Sequence, residues 1–229
     1  MTFPRRLETE LLDVLPADAP AAMRSRRDLR LLNALMIHPG IMARRMRRHA
    51  VEAPRHIIEL GAGDGSLMLR LGRRLARHWS GVGTILVDRQ DIVTPATRQA
   101  ISNLGWREDR VTQDVFEYLA IAKPADIIIA NLFLHHFQPT QLTDIFTQCA
   151  KLAPLLIALE PRRATLPLLG SRLIWLLGCN HVSRHDAVAS VRAGFRDCEL
   201  SALWPNRQGW SFDERSVGLW THCFVARKC

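Results

Sequence analysis

The sequence is poor in cysteine. Its five cysteines, Cys149, Cys179, Cys198, Cys223 and Cys229, are scattered and odd in number. No CxxC pair is present, so neither a zinc site nor a disulfide framework is indicated, and no metal site is expected. Reduced thiols in a cytoplasmic setting are the plain expectation. Long apolar runs are missing too. The longest, "LPLLGSRLIWLLG" at residues 166 to 178, is too short for a bilayer and carries Arg172 inside it, so any membrane contact would be peripheral. Acids interrupt the opening "MTFPRRLETELLDVL", which excludes the apolar region of a secretory signal. No repeat and no low-complexity tail break the chain. Acidic residues are outnumbered: 22 Asp and Glu stand against 31 Lys and Arg, and the net charge is +9. Such a surface suits anionic partners such as nucleic acid, acidic lipid or an acidic carrier. The basic residues form no single long tract, however, and genome composition is the plainer explanation of an arginine-rich chain.

What is present fits one domain with a full core and a small accessory segment. Residues 1 to 53 read as helical and hold the densest basic clusters, "RSRRDLR" and "ARRMRRHA". "LETELLDVL" is a short amphipathic piece. The next helix places Leu29, Leu32, Leu35 and Met36 on one face, and Pro39-Gly40 should break it. From Pro54 onward, short apolar runs alternate with helical patterns. Runs at residues 55 to 62, 83 to 89, 125 to 134 and 155 to 161 look like strands buried on both faces, and residues 109 to 115 fit another. Residues 65 to 79, 94 to 105 and 138 to 152 read as the intervening helices. This alternation implies a doubly wound, mostly parallel α/β sheet with its ligand beyond the carboxyl ends of the strands. Residues 162 to 195 read as a helical insertion. Residues 198 to 205 and 217 to 228 read as two closing strands.

The stretch "HIIELGAGDGSL" brings Gly61, Gly63 and Gly65 between a strand and a helix. A phosphate-binding loop would need GxxxxGK followed by Ser or Thr, which is absent. A dinucleotide fingerprint would need a third glycine where Ser66 stands. Glu59 and Asp64 flank the turn, and carboxylates there repel a pyrophosphate but attract an ammonium group. S-adenosylmethionine (SAM) offers that ammonium, and its carboxylate suits the N–H groups of a helix start. Asp88 ends the second strand, where an acid accepts ribose hydroxyls in either kind of ligand. Asp114 is open to two readings, an acceptor for the adenine amine with Val115 packed on the ring, or a helix N-cap.

Taken in order, "HIIELGAGDGS", "ILVDR", "QDV" and "ADIIIANLFLHHF" resemble class I SAM-dependent methyltransferases over about residues 54 to 161, and "VGLWTHCFVARK" resembles the last strand of that fold. More loosely, "DLRLLN" and "SRHDAVASVRAGF" are similar to small stand-alone bacterial methyltransferases of the quinone-biosynthesis or polyketide-associated type. The resemblance implies a seven-stranded sheet with an antiparallel final strand in a SAM-binding domain over residues 54 to 229. Separately, the apolar face at Leu29, Leu32, Leu35 and Met36 needs a partner, so residues 1 to 53 are expected to form a helical lid. It assigns Glu59, Gly61, Ala62, Gly63 and Gly65 to the methionine end of SAM. It assigns Asp88 and Arg89 to the ribose region, Asp114 and Val115 to adenine, and Asn131 to the floor beside the methyl group.

For the acceptor, "NLFL" replaces the Asn/Asp-Pro-Pro-aromatic tetrapeptide of enzymes that methylate base amines, and no Pro-Cys nucleophile for cytosine is present. A small, lipophilic or phenolic acceptor is therefore expected, with O-methylation favoured and nucleic acid disfavoured. His135 and His136 stand at the end of the fourth strand, where an imidazole can take a proton from a hydroxyl. A structural pair is the plainer alternative, and methyl transfer also runs on alignment alone. His185 and Arg184 are candidates for acceptor contact, against a simple helix start capped by Ser183. Two histidines, His181 and His185, lack a third metal ligand. Glu160 and Asn33 are further candidates near the cleft. Leu166, Leu168, Leu169, Ile174, Trp175 and Leu176 are either an acceptor wall or ordinary packing. Three rivals stay open: an RNA methyltransferase using the basic segment, a non-catalytic SAM-binding protein, and another SAM chemistry. The oligomeric state is not encoded in any pattern.

Overall fold

The apolar runs and two polar edge segments form a single sheet of seven strands: β1 (His56–Leu60), β2 (Gly83–Asp88), β3 (Arg107–Thr112), β4 (Ile127–Asn131), β5 (Leu155–Pro161), β6 (Trp210–Val217) and β7 (Thr221–Lys228). Their order is β3-β2-β1-β4-β5-β7-β6. The first five are mutually parallel, and β7 lies antiparallel to both β5 and β6. The structure is a computed structural model that describes residues 3–16 and 18–229, the side chain of residue 33 excepted. Asn33 as a lid contact therefore falls outside the described side chains.

Alternation along the strands divides the core into two layers. Ile58, Leu60, Ile128, Ala130, Leu156 and Ala158 face one side, where α6 (Val115–Ile121), α7 (Pro139–Leu152) and α10 (Glu199–Ala202) pack with Tyr118, Phe146 and Trp204. Ile57, Ile127, Ile129, Ile157, Leu159 and Val225 face the other, against α3 (His38–His49), α4 (Ser66–Leu75) and α5 (Pro95–Ser102). Burial on both faces explains why β1, β4 and β5 read as nearly unbroken apolar runs, whereas β3 is a polar, largely exposed edge.

The N-terminal part is α1 (Leu11–Val14), α2 (Pro20–Leu35) and α3. Helix is scarcer at the start than the sequence predicts: α1 is a single turn preceded by extended chain. The break between α2 and α3 falls at Ile37, whose φ of 57° is left-handed, two residues before Pro39. Proline is tolerated in the first turn of a helix, so α3 starts ahead of it instead of α2 ending at it. The buried side of α2 runs through Ala22 and Ser25 towards half-buried Leu29 and Leu32, while Leu35 is exposed, contrary to the predicted face.

After β5 come α8 (Thr165–Leu173), a 3₁₀ turn (Ile174–Leu177) and α9 (His181–Ala193). A second correction falls at residues 198 to 205, predicted as a strand and found as α10. Glu214 of β6 accepts hydrogen bonds from the backbone N–H groups of Leu200 and Ser201, at 2.9 and 2.8 Å, and so fixes the start of that helix. The strand that completes the sheet is β6, which begins at Trp210.

Candidate active site

Beyond the carboxyl end of β1 the chain turns through Gly61, Gly63 and Gly65, all with left-handed φ of 54–71°. The reasons for glycine differ along the turn. A Cβ on Gly61 would lie 2.2 Å from the Phe133 ring, so packing excludes it. A Cβ on Gly63 would meet nothing within 4 Å, so its backbone faces open space. The loop is tied to β2 by Asp88, whose carboxylate accepts the Gly63 N–H at 2.8 Å and the Gln90 N–H at 2.9 Å. Ala62 is buried beneath the turn, and its N–H reaches the Val87 carbonyl.

Glu59 sits under this loop at 2% exposure, and its Oε2 is buried without a hydrogen-bond partner. Burial pushes its carboxyl well above the usual range, and the charges of Asp64 and Asp88 add to the effect. A buried, unpartnered acid near two more acids is costly, and a cation placed beside Glu59 would relieve it. That is the electrostatic demand of a SAM ammonium group. The open Gly63 backbone offers the same ligand a path past the loop. The residues present therefore fit SAM at its methionine end.

Asp114 is the N-cap of α6, not a strand terminus: β3 stops at Thr112, and Asp114 Oδ1 accepts the Phe116 N–H at 2.8 Å. Its other oxygen takes a hydrogen bond from Arg89 Nε at 2.9 Å. Burial works against the Asp114 carboxylate, but Arg89 and the Phe116 N–H outweigh it and hold the acid below its ordinary range. Val115 is buried behind the cap. Both readings of Asp114 made from the sequence concern this rim, and the capping one is the contact present.

Asn131 ends β4, and the next residue, Leu132, has a left-handed φ of 52°. Asn131 Oδ1 meets His38 Nδ1 at 2.7 Å, and His38 Nε2 meets the Thr221 hydroxyl at 2.9 Å. With Nδ1–H donating to the amide oxygen, Nε2 accepts from the hydroxyl, which is the pattern of a neutral ring. Burial lowers the His38 pKa to about 4, which keeps it neutral. His38 thus binds the start of α3 to the ends of β4 and β7. Sequence reasoning passed over it, although "HPG" at a helix start was a visible signal.

His135 lies in a 3₁₀ turn, Leu134–His136, that is built on Glu160. Glu160 Oε1 accepts the N–H groups of Phe133 and Leu134 at 3.1 and 2.9 Å, and Oε2 meets His135 Nδ1 at 2.8 Å. The far nitrogen, Nε2, faces Glu10 Oε1 at 3.3 Å. Burial opposes charge on His135, but bonds to Glu10 and Glu160 override it and raise the pKa to about 9. His135 thus lies between two carboxylates that favour its charged form. His136 stacks beside it at 4.2 Å between centroids. Burial and the neighbouring cation lower its pKa to about 4, and its Nδ1 lies 3.4 Å from Asp13.

Glu10, His135 and His136 bring ligand-type atoms within 4.8 Å of one another, the one such cluster among the described residues. Within it, Glu160 engages His135 Nδ1 and Glu10 faces Nε2, so the cluster is joined by hydrogen bonds between ring and carboxylates. Glu10 had given no signal in the sequence, because its partners are more than a hundred residues away.

The N-terminal segment closes over this edge. Arg5 donates to the carbonyls of His135, Phe137 and Ala193 at 2.7–3.0 Å and lies over the Phe195 ring. Asp186 of α9 accepts the N–H groups of Leu11 and Leu12 at 2.7 and 3.0 Å. On α2, Arg30 reaches Asp64 of the glycine loop at 2.7 Å and Arg26 reaches Gln90 at 2.8 Å. His185 is not brought to His135. It lies exposed on α9, 3.0 Å from Asp186. Asn180, not Ser183, caps α9: its side chain accepts the Ser183 N–H. Leu166, Leu169, Trp175 and Leu176 are exposed, and only Ile174 of the expected acceptor wall is fully buried.

A sheet in this order, with an antiparallel seventh strand and an acid-flanked glycine turn after β1, defines the class I SAM-dependent methyltransferase fold. Solved structures agree. The chain superposes on the plantazolicin methyltransferase BpumL in complex with S-adenosylhomocysteine (SAH) with a TM-score of 0.67 and 10% identity, over 93% of this chain and 92% of that one. Magnesium protoporphyrin IX methyltransferase from Synechocystis PCC 6803, with bound SAH, gives 0.57 at 14% identity, over 95% and 91%. An O-methyltransferase family protein from Burkholderia thailandensis gives 0.57 at 16% identity over 92% of this chain, which spans 60% of that protein's length. No protein-family model and no curated protein matches the sequence. No helix among the described residues is long and apolar enough to cross a membrane.

Proposed function

We propose that this protein is a SAM-dependent methyltransferase that methylates a hydroxyl group of a small acceptor. The observation that carries the cofactor is the unpartnered Glu59 carboxyl beneath an open glycine turn. Glu59 would receive the ammonium group, and Asp88, whose carboxylate oxygens each keep a further lone pair, the ribose. Bound SAM supplies an electrophilic methyl group.

The acceptor reading rests on His135. Glu160 fixes its Nδ1 proton, so Nε2 is the nitrogen available to a hydroxyl. Glu10 holds that position and keeps the ring charged. An acceptor hydroxyl that takes the place of Glu10 removes one of two carboxylates and lets the ring reach the neutral form that accepts a proton. Of the lid expected over residues 1 to 53, the part ahead of α3 then acts as the cover, because α3 is packed into the core through Met42 and Met46. Arg5, Glu10 and Asp13 cover the acceptor edge, and Arg26 and Arg30 cover the loop edge. A closed lid excludes water and orients the acceptor.

Calorimetry tests the cofactor. SAH should bind, NAD should not, and Gly63→Val should abolish SAH binding in a folded protein by filling the open side of the turn. Preferred binding of NAD would refute the proposal. Host extract incubated with methyl-labelled SAM and read by mass spectrometry would then reveal the acceptor.

A further inference from the structure

Helix α8 is apolar on both sides. Its inner side carries buried Pro167 and Ser171, continues into buried Ile174, and is already partnered. Gly170 lets it approach Trp220 so closely that a Cβ would lie 2.3 Å from that ring. The outer side nevertheless shows Leu166, Leu169 and Leu173, each about half exposed, and the following turn adds Trp175, Leu176 and Leu177 at 49–63% exposure. A helix apolar all round is expected where a second apolar medium meets it. Six large side chains in twelve residues, with the inner face satisfied, are not a core that failed to close.

The border of this patch is basic. Helix α9 packs against α8, and its outer side presents His181, Arg184 and His185. These residues join Arg172 of α8 around an open pocket of about 350 Å³. Among the described residues, neither Arg172 nor Arg184 has an ion-pair partner. Arg172 lies between Leu169 and Leu173 in the outer row, where its stem can lie along apolar material while the guanidinium stays at a polar boundary. Leucine and tryptophan beside unpaired arginines, on a short helical hairpin, is the composition of an element that lies in a lipid interface. A net charge of +9 gives long-range attraction of the same sign.

We propose that the α8–α9 hairpin is a peripheral membrane-binding surface for anionic phospholipid. The leucines and Trp175 enter the boundary between headgroups and acyl chains, and the pocket around Arg172 and Arg184 takes a phosphate headgroup. The surface lies outside the glycine-loop site, and its test needs no turnover.

The experiment is flotation of the full chain with vesicles of phosphatidylcholine, alone or mixed with phosphatidylglycerol. Trp175→Phe serves as the control for quenching of tryptophan fluorescence by brominated lipid. Binding to the mixed vesicles should exceed binding to the neutral ones by about tenfold or more, since two arginines act at the surface. Leu169→Glu with Leu173→Glu, and separately Arg172→Glu with Arg184→Glu, should each abolish that preference. Both pairs are solvent-facing, so SAH affinity, measured in parallel, should not change. Quenching in the parent that is lost in Trp175→Phe would fix the depth of the hairpin. Equal binding to both vesicle types, or no binding to either, would overturn the proposal. So would a concentration-dependent dimer dispersed by the leucine pair, which would make this face a contact between copies. Salt-sensitive retention of an RNA oligonucleotide in place of vesicles would overturn it as well.

Discussion

Glu59 is an acid placed where only a cation would satisfy it. Its raised pKa means that, without ligand, the carboxyl holds its proton to a higher pH than a free one does. The stability it lends is therefore complete below the ordinary carboxyl range and is lost as pH rises through the raised value. A ligand ammonium reverses that balance, so SAH binding should release a proton. Calorimetry in buffers of different ionisation enthalpy should show the release, and Glu59→Gln should lose it together with about 1.5–3 kcal/mol of affinity. A variant that still released the proton would place the cation elsewhere. The glycine turn, Glu59 and Asp88 could be read from the sequence because their chemistry is local to one strand–turn–helix unit. His38, Glu10 and Arg5 could not. Each acts through a partner far along the chain, as Glu10 does with His135 at a separation of 125 residues.

Short elements are set by what caps them. The single turn α1 has no side-chain cap of its own, and Asp186 of α9 fills that role from a distance. Asp186→Ala should remove both hydrogen bonds at a cost of about 1 kcal/mol, the usual value of a helix cap. The expected readout is faster proteolysis of the chain ahead of Pro20 with SAH affinity intact. Unchanged proteolysis would mean that Arg5 and Glu10 suffice to hold the segment. The same dependence explains where the sequence misled. "CELSALWP" opens with the alternation of a strand but holds no β-branched residue, and Glu214 on a later strand fixes the start of a helix there. By contrast α4, α5 and α7 carry their own signals. Thr94 caps α5, a capping box built on Gln138 and Gln141 opens α7, and the glycine turn opens α4.

At the scale of the molecule, His135 joins three regions: Glu160 from the sheet, Glu10 from the N-terminal segment and Ser190 of α9, which hydrogen-bonds Glu10. Its pKa of about 9 exceeds the ordinary 6.5, so the protonated ring stabilises the fold. That contribution is complete below pH 6.5 and is lost as pH rises through about 9. Chemical denaturation across this window should show a fall on the order of 3 kcal/mol, which the size of the shift implies. The fall should be missing in His135→Asn. An identical fall in that variant would assign the titration to another group.

The order of the sheet has a further consequence for synthesis. β7 lies between β5 and β6 yet follows both in the chain. While the ribosome is still making residues 221 to 228, β5 has an open edge and β6 has no neighbour. The layers around Cys223, Phe224, Val225 and Ala226, all buried, cannot close until that strand arrives. Nascent chains halted before β7 would expose an apolar β5 edge, the kind of surface that recruits chaperones or pairs with another chain. The sheet cannot be completed before residues 221 to 228 have been made, because β7 supplies the only pairing of β6 and the outer partner of β5.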